Sequence, residues 1–512
     1  MKVFVDANVI INAFTRADES QDSLALLEKL RDDPGFSLWA SALSAIYIEQ
    51  EVSKLSGADQ ARQALDTFLK WFCIVPLRRS ALLKAVNDLN PGFANAAQLA
   101  GAEEMNLDCI IAADKDHFRG NRISVLTPSE FLEKLNAGEF ARVNQVPFMD
   151  LTAQHGKVYN EIDDRFTAIA ARTGFILGPY VSAFEKDFAL AHEARYCLGV
   201  STGTDALHLA LMALDIGPGD RVALPVNTFI ATAEAVTLCG AEPVFVDCDE
   251  KFNLDPQKLE KTLEEDSGTI KAVIPVHLYG RPADMDAITE LAKKFQIQVV
   301  EDCCQAHLAR SKDKVVGNFG VFGAFSFYPG KNLGAWGEGG ALICNDEEMH
   351  QKALMLSRHG EIKRYHHQVA GHNYRMEALQ GAVLGAKLPY LQAWTEARIE
   401  NAGLYTRLLE GMGEVRTPEK CAENYCVYHL YVIRAKNRDR LQQHLQEKGI
   451  SSGLHYPVPL HMQKAYASLG YKPGDFPVAE SAAAEILSLP MYPELSKDQI
   501  RYVVEQIKDF YV

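Results

Sequence analysis

The chain has 512 residues, 47% hydrophobic and 23% charged, the balance of a soluble globular protein with enough chain for two to four domains. A formal net charge of −15 argues against the clustered basic face of a nucleic-acid-coating or membrane-surface protein, although a small basic pocket stays possible. No run of 18 apolar residues exists, so no transmembrane helix is expected; ten scattered cysteines without a CxxC pair read as reduced thiols of a cytoplasmic protein, not as a disulfide framework or a zinc site.

The opening "MKVFVDANVIINAF" carries an Asp inside its apolar run and no small-residue cleavage signature, so it reads as a buried strand and not a signal peptide. Short apolar runs such as "LDCIIAADK" then alternate with helical patterns such as "SLALLEKLRDD" and "ARQALDTFLKWF". This first α/β domain spans residues 1–135 and closes with "LTPSEFLEKL", whose Thr-Pro-Ser is a helix start signal. Residues 136–145 are polar and aperiodic, a linker.

From residue 146 the alternation is clearer. The strands expected are "YCLGVS", "RVALPV", "PVFVDCD", "KAVIPVHLY", "IQVVED", "FGAFSF" and "GALICN", separated by helices such as "GTDALHLALMAL" and "ADMDAITELAKKF". That pattern predicts a large, mostly parallel sheet flanked by helices over 146–394. "YCVYHLYVIRAK", "RDRLQQHLQEKG" and "SKDQIRYVVEQIKDFYV" predict a smaller α+β domain over 395–512.

Three stretches carry candidate chemistry. In "GVSTGTDALHLAL" a strand ends, a Ser-Thr-Gly-Thr turn follows and a helix begins. Free N–H groups and hydroxyls at such a start make an anion site, with Gly203 allowing close approach and Thr204 adding a hydroxyl; a plain helix cap explains the same residues. In "IQVVEDCCQAH" a strand runs into Glu301-Asp302, so that Asp302 either faces a ligand crevice, able to hold a protonated ring nitrogen, or caps a helix. In "FSFYPGKNLGAWGEGG" a single lysine, Lys331, stands between aromatics and a glycine-rich tail. Shielding from water lowers an amine's pKa and makes it a nucleophile for an aldehyde; a surface lysine in a flexible loop is the plainer reading of Lys331 alone. The glycines are expected to leave room for cofactor and substrate, and Ser326 to add a phosphate hydroxyl. The order of phosphate turn, strand-end Asp and lysine is the one expected for pyridoxal 5′-phosphate (PLP) on a large α/β domain.

Residues 146–512 closely resemble the DegT family of PLP-dependent sugar aminotransferases, through these stretches and "FILGPYVSAFEKDFA", "PVNTFIATAEAV", "GAEPVFVDCD", "HLYGRPADMDAI", "GHNYRMEALQGAVL" and "HYPVPLH". The resemblance implies a fold type I aminotransferase acting as a homodimer with shared active sites. It implies that Lys331 is the Schiff-base lysine, Asp302 the partner of the pyridine nitrogen, Gln305 a neighbour of the ring hydroxyl and Phe229 the stacking aromatic. Gly203, Thr204 and Ser326 would hold the phosphate, and Asn373 would reach it from the neighbouring subunit. L-glutamate is the implied donor and a nucleoside diphosphate keto-sugar the acceptor. Lysine, rather than the histidine of a dehydrating branch, implies transamination. Arg358, His359 and Arg364 are candidate contacts for a diphosphate or a donor carboxylate, or a solvated charge run, and His455 and Tyr456 are pocket candidates by resemblance.

Asp6 and Asp114 follow two N-terminal apolar runs, where they could share Mg²⁺ or Mn²⁺ or serve as helix caps. Residues 1–135 resemble the PIN domain, the nuclease fold of VapC-like toxins, in "DANVIINAF", "WASALS", "IIAADKDHF" and "ISVLTPSEFL". Two departures matter. Asn95 stands at an expected acid, and Tyr47, with Glu49 the nearest substitute, at another. Asp6 and Asp114 remain, with Asp116 nearby, so a degenerate structural or partner-binding module is expected. The alternative is a metal-dependent PIN ribonuclease or RNA-binding regulator with a passenger aminotransferase. A fusion of two independent functions is the third reading.

Overall fold

The computed structural model describes residues 1–15, 21–33, 35–87, 92–118, 122–140 and 143–512. Two compact units divide the chain: Met1–Arg142 with Asp150–Asp163, and Val143–Met149 with Asp164–Val512. The polar stretch 136–145 lies partly outside the described residues.

The first unit is built on five strands, β1 (Lys2–Val5), β2 (Ser37–Ser41), β3 (Cys73–Val75), β4 (Cys109–Ile111) and β5 (Ser124–Leu126). They lie in the order β3-β2-β1-β4-β5, every pair parallel. Val3, Phe4, Val5, Ile110 and Ile111 are wholly buried, as strands covered on both faces must be. The unanticipated β2, β3 and β5 have three to five residues, too few to show a period in sequence. The edge strand β3 is blunted by one side chain: Asn160 Oδ1 accepts from the Ile74 amide (2.7 Å), and its Nδ2 donates to the Phe72 carbonyl (2.9 Å). The expected closing helix is Pro128–Asn136, started by a capping box between Thr127 and Glu130.

The second unit carries β6 (Tyr196–Val200), β7 (Arg221–Pro225), β8 (Glu242–Val246), β9 (Ile270–Val273), β10 (Gln298–Asp302), a small hairpin of β11 (Arg310–Ser311) and β12 (Lys314–Val315), β13 (Phe322–Ser326) and β14 (Gly340–Cys344). Seven of them form one sheet in the order β6-β14-β13-β10-β9-β7-β8. Only β14 runs antiparallel to its neighbours, so the sheet is mostly parallel, as expected. Helices Gly203–Ala213, Ile230–Leu238 and Met285–Phe295 contribute Leu207, Leu211, Val236 and Ile288 to buried clusters on this sheet. An exposed hairpin, β15 (Glu361–Lys363) and β16 (His366–His367), follows. The C-terminal part holds an antiparallel sheet of β17 (Val415–Arg416), β18 (Tyr431–Ala435) and β19 (Ile486–Leu489), packed with helices Leu391–Leu409 and Lys497–Tyr511. No described helix is long and apolar enough to cross a membrane.

One expectation fails here. Cys421 and Cys426 are disulfide-bonded, while the other eight cysteines are free. Their spacing gave no warning, but the loop between them brings the Cα atoms to 6.3 Å, within bridging range.

Candidate active site

Strand direction assembles the site. β6, β10 and β13 run the same way, so Val200, Asp302 and Ser326 all end at one edge of the sheet. β14 starts there, and Gly340 is paired with both Val200 and Ser326. A β-carbon at Gly340 would lie 2.2 Å from the Thr202 carbonyl oxygen, and one at Gly203 would lie 2.6 Å from Ser326 Cβ. The two glycines therefore press the 201–204 turn onto Ser326. Thr202 caps the helix, its Oγ1 accepting from the Asp205 amide (2.9 Å). That cap leaves Gly203 and Thr204 in the first turn, where a helix start attracts an anion.

Asp302 is 5% exposed. Its Oδ2 accepts from Thr232 Oγ1 (2.9 Å), its Oδ1 accepts from the Cys304 amide (3.1 Å), and Thr228 Oγ1 lies 2.9 Å from Thr232 Oγ1. Glu301, one residue earlier, turns to the other face of the strand. It is wholly buried, accepting from the amides of Gly317 (2.7 Å), Phe319 (2.6 Å) and Gly320 (2.8 Å) and from His277 Nε2 (3.1 Å). His277 Nδ1 accepts from the Ala283 amide (3.0 Å), so Nε2 carries its proton. Among the described residues only His277, Glu301 and Cys303 cluster with metal-ligand spacing. Those histidine and carboxylate atoms are already committed to hydrogen bonds, so the trio is a structural staple.

Lys331 follows the buried Phe325 and Phe327 and keeps part of its surface open. Burial pulls its pKa below that of an ordinary lysine, while Cys304 and Asp302 pull it back up. The glycines after it do not open space as expected. A side chain at Gly334 would strike the Pro329 carbonyl at 2.2 Å, and one at Gly339 would meet Phe327 at 3.3 Å. They let the backbone close tightly behind the lysine. Lys387 Nζ donates to the Gly334 carbonyl (2.6 Å), Gln380 Oε1 accepts from the Trp336 amide (3.1 Å), and Asn332 Nδ2 donates to the Val427 carbonyl (3.2 Å).

Gln305 is buried, its Oε1 accepting from the Tyr279 amide (2.7 Å) and its Nε2 donating to the Tyr456 hydroxyl (3.2 Å). Phe229 is 52% exposed, at the N-terminus of helix Ile230–Leu238, with its ring 5.5 Å from that of Tyr456. His455 is held by Ser488 (2.8 Å), and burial lowers its pKa to about 4. Asn373 is exposed and tied to its own surroundings, pairing with Arg358 and accepting from Arg375 Nε (2.7 Å). Arg364 stands on the exposed hairpin, 5.1 Å over the Tyr365 ring. His359 donates its amide to the His372 carbonyl (2.9 Å). Sequence reasoning missed Thr232, Asn332 and Lys387. Only Thr232 left a signal, standing one helical turn after Thr228 at a helix start.

In the first unit Asp6 ends β1 and Asp114 follows β4, the neighbouring strand. Asp6 is 3% exposed and its Oδ2 has no partner; burial raises its pKa, against smaller opposing pulls from the Asn8 and Ala7 amides and then His117. Asp114 is exposed, with its carboxylate 3.4 Å from His117. Neither belongs to a three-ligand group among the described residues. Glu49 faces solvent and Tyr47 packs on the core, so neither replaces a missing acid.

Residues 157–508 match the DegT/DnrJ/EryC1/StrS aminotransferase family. A pleiotropic regulatory protein of Geobacillus stearothermophilus is 46% identical over 72% of this chain and 98% of its own length. The dTDP-3-amino-3,4,6-trideoxy-alpha-D-glucose transaminase of Streptomyces venezuelae is 40% identical, over 72% of this chain and 97% of its own. A UDP-N-acetyl-3-dehydro-alpha-D-glucosamine 3-aminotransferase of Acidithiobacillus ferrooxidans is 42% identical over 71% and 97%. Among solved structures, S. venezuelae DesV in complex with a ketimine intermediate superposes with a TM-score of 0.69 at 40% identity, covering 72% of this chain and 98% of that one.

Proposed function

The chain belongs to the DegT/DnrJ/EryC1/StrS aminotransferase family and is a PLP-dependent sugar aminotransferase; on that premise we propose that it moves an amino group from L-glutamate to the keto group of a nucleoside diphosphate sugar. The observation that carries this reading is the meeting of three groups at one sheet edge: the 201–204 turn pressed on Ser326, the doubly held Asp302, and Lys331 with its lowered pKa.

These residues fit the cofactor. Bound PLP supplies an electron sink for the carbon that carries the amino group. Gly203, Thr204 and Ser326 bind its phosphate, and Asp302 holds a proton on the ring nitrogen. Gln305 would meet the ring hydroxyl and Phe229 would cover a ring face. Lys331 would hold the cofactor and would be the base and acid for the proton on the reacting carbon. The neutral His455 and the hydroxyl of Tyr456 border the sugar. Asn373, exposed on this chain, would serve the second subunit of a homodimer. Residues 146–394 form the cofactor-binding domain and 395–512 the smaller one, a division supported by their separate sheets. Residues 1–135 are a PIN-like module without nuclease activity, a reading supported by the exposure of Asp114 and by the lack, among the described residues, of a three-ligand group that includes Asp6 or Asp114.

The test is the visible spectrum of the PLP-loaded protein before and after L-glutamate. The band expected for PLP on a lysine should bleach with the donor and be absent in Lys331→Ala. A band that persists with glutamate rules out that donor. An equal band in Lys331→Ala removes Lys331 from the site. The regulatory name of one relative favours a second reading, a regulator; a protein that shows no such band, with its biological effect intact in Lys331→Ala, would support it.

A further inference from the structure

The disulfide that the sequence did not foreshadow stands in an unusual setting. Cys421 is part-exposed and Cys426 is buried. Both line a cleft with Lys251, Arg281, Arg416 and Arg434, against the carboxylates of Glu250 and Glu419. The charges pair across the cleft, Arg416 and Arg434 with Glu250, Arg434 with Glu485 and Lys251 with Glu419, and the part-exposed Cys421 is the sulfur that an incoming thiolate can reach.

The bond is also close to the lysine in connectivity. Cys426 is followed by Val427, whose carbonyl accepts from Asn332 Nδ2 (3.2 Å), on the residue after Lys331. The Val427 amide donates to the Gly280 carbonyl (2.9 Å), and Tyr279 beside it donates its amide to Gln305 Oε1 (2.7 Å). A β-carbon at Gly280 would come within 2.9 Å of the His429 amide nitrogen, so segments 279–281 and 427–429 are in direct backbone contact. Inside the bridged loop, Tyr425 and Arg310 exchange amide–carbonyl hydrogen bonds (2.9 and 3.1 Å).

We propose that Cys421–Cys426 is a thiol–disulfide exchange site whose redox state sets the order of the Lys331 turn. Its exchange partner is a dithiol. One thiolate of the reductant attacks Cys421 Sγ, the S–S bond breaks, and Cys426 leaves as a thiolate that takes up a proton. The second reductant thiol then attacks the mixed disulfide and releases Cys421 as a thiol. Two electrons pass to the protein, and the reductant departs as its own cyclic disulfide. With the bond intact, Val427 is fixed and anchors Asn332. With it open, the 421–426 loop loosens and the anchor weakens on both sides, at Asn332 and at Gly280. The consequence for catalysis rests on Lys331 being the cofactor lysine; the exchange site itself does not.

The experiment uses full-length apoprotein prepared without reductant, compared with the same protein treated with dithiothreitol. Thiol titration under denaturing conditions should count eight free cysteines before treatment and all ten after it. Amide hydrogen exchange should then quicken about tenfold in peptides covering 279–281 and 328–336 and stay unchanged in helix Pro256–Glu265. The double variant Cys421→Ser/Cys426→Ser should exchange like the reduced protein and ignore the reagent. Reduction of the wild type carries the test alone if that variant does not fold. Ten free thiols in the untreated protein, or equal exchange in the two redox states, overturns the proposal. An exchange response in a protein that forms no visible band with PLP leaves this proposal standing and sinks the Lys331 reading instead.

Discussion

Thr232 and Lys387 are two side chains that sequence reasoning missed, one bonded to Asp302 and the other to the backbone of the turn behind Lys331. Thr232 gives Asp302 Oδ2 its hydroxyl partner. Thr232→Val keeps the shape and removes that donor, leaving a buried carboxylate oxygen unsatisfied at a cost of about 1–3 kcal/mol. The expected result is a kcat lower by roughly 10- to 100-fold and a shifted pH midpoint of the cofactor's visible band, with Thr232→Ser restoring both. A midpoint unmoved in Thr232→Val would show that Asp302 does not need the hydroxyl. Lys387 offers a pH test. Burial lowers its pKa to about 8 from an ordinary 10.5, so between those values the unfolded chain binds more protons than the folded one. Its contribution to stability therefore rises with pH across that window, by up to about 3 kcal/mol. Wild type minus Lys387→Met, measured as unfolding free energy from pH 8 to 10.5, should show that rise; a flat difference refutes the buried amine.

At the scale of elements, adjacent carboxylates take opposite roles because side chains alternate along a strand. Asp302 takes Thr232 Oγ1 and the Cys304 amide, while Glu301 gathers the 317–320 loop through three amides and His277. Glu301→Gln keeps one acceptor oxygen and puts an NH₂ at the other, so either the Gly317 amide with His277 Nε2 or the amides of Phe319 and Gly320 lose their acceptor. Their hydrogen exchange should accelerate and the protein should lose roughly 2–4 kcal/mol; protection equal to wild type would mean the loop holds itself. The strand-end position of Asp302 was legible in "IQVVED", since a hydrophobic run that stops at a charge marks where a strand leaves the core. The division of labour between its two acids was not, because it depends on a loop fifteen or more residues later. The glycine tail misled for a related reason. A glycine signals that a backbone needs freedom or closeness, and here the close neighbours are Thr202 and Pro329, not a ligand. The edge strands of the first unit were silent because three residues carry no period.

At the scale of the molecule, the second unit stores uncharged histidines. Burial lowers His192, His208 and His455 to about 4, and pushes His307 and His429 well down. In the unfolded chain the same imidazoles titrate near 6.5. Between pH 6.5 and 4 the unfolded state therefore binds more protons, and stability rises with pH through that window and falls on acidification. Each of the three loses on the order of 1–2 kcal/mol between pH 7 and pH 5. Their sum is a sizeable fraction of what holds an ordinary domain folded. The urea midpoint should accordingly drop on moving from pH 7 to pH 5, and hydrogen exchange should place the loss in residues 164–512, where all five histidines lie. Above pH 7 these groups contribute no further change. Midpoints equal at the two pH values would mean that folding does not lower these histidine pKa values, and that the rings take up protons near pH 6.5 in the folded protein as they do in the unfolded chain, leaving the acid sensitivity of the second unit to other groups.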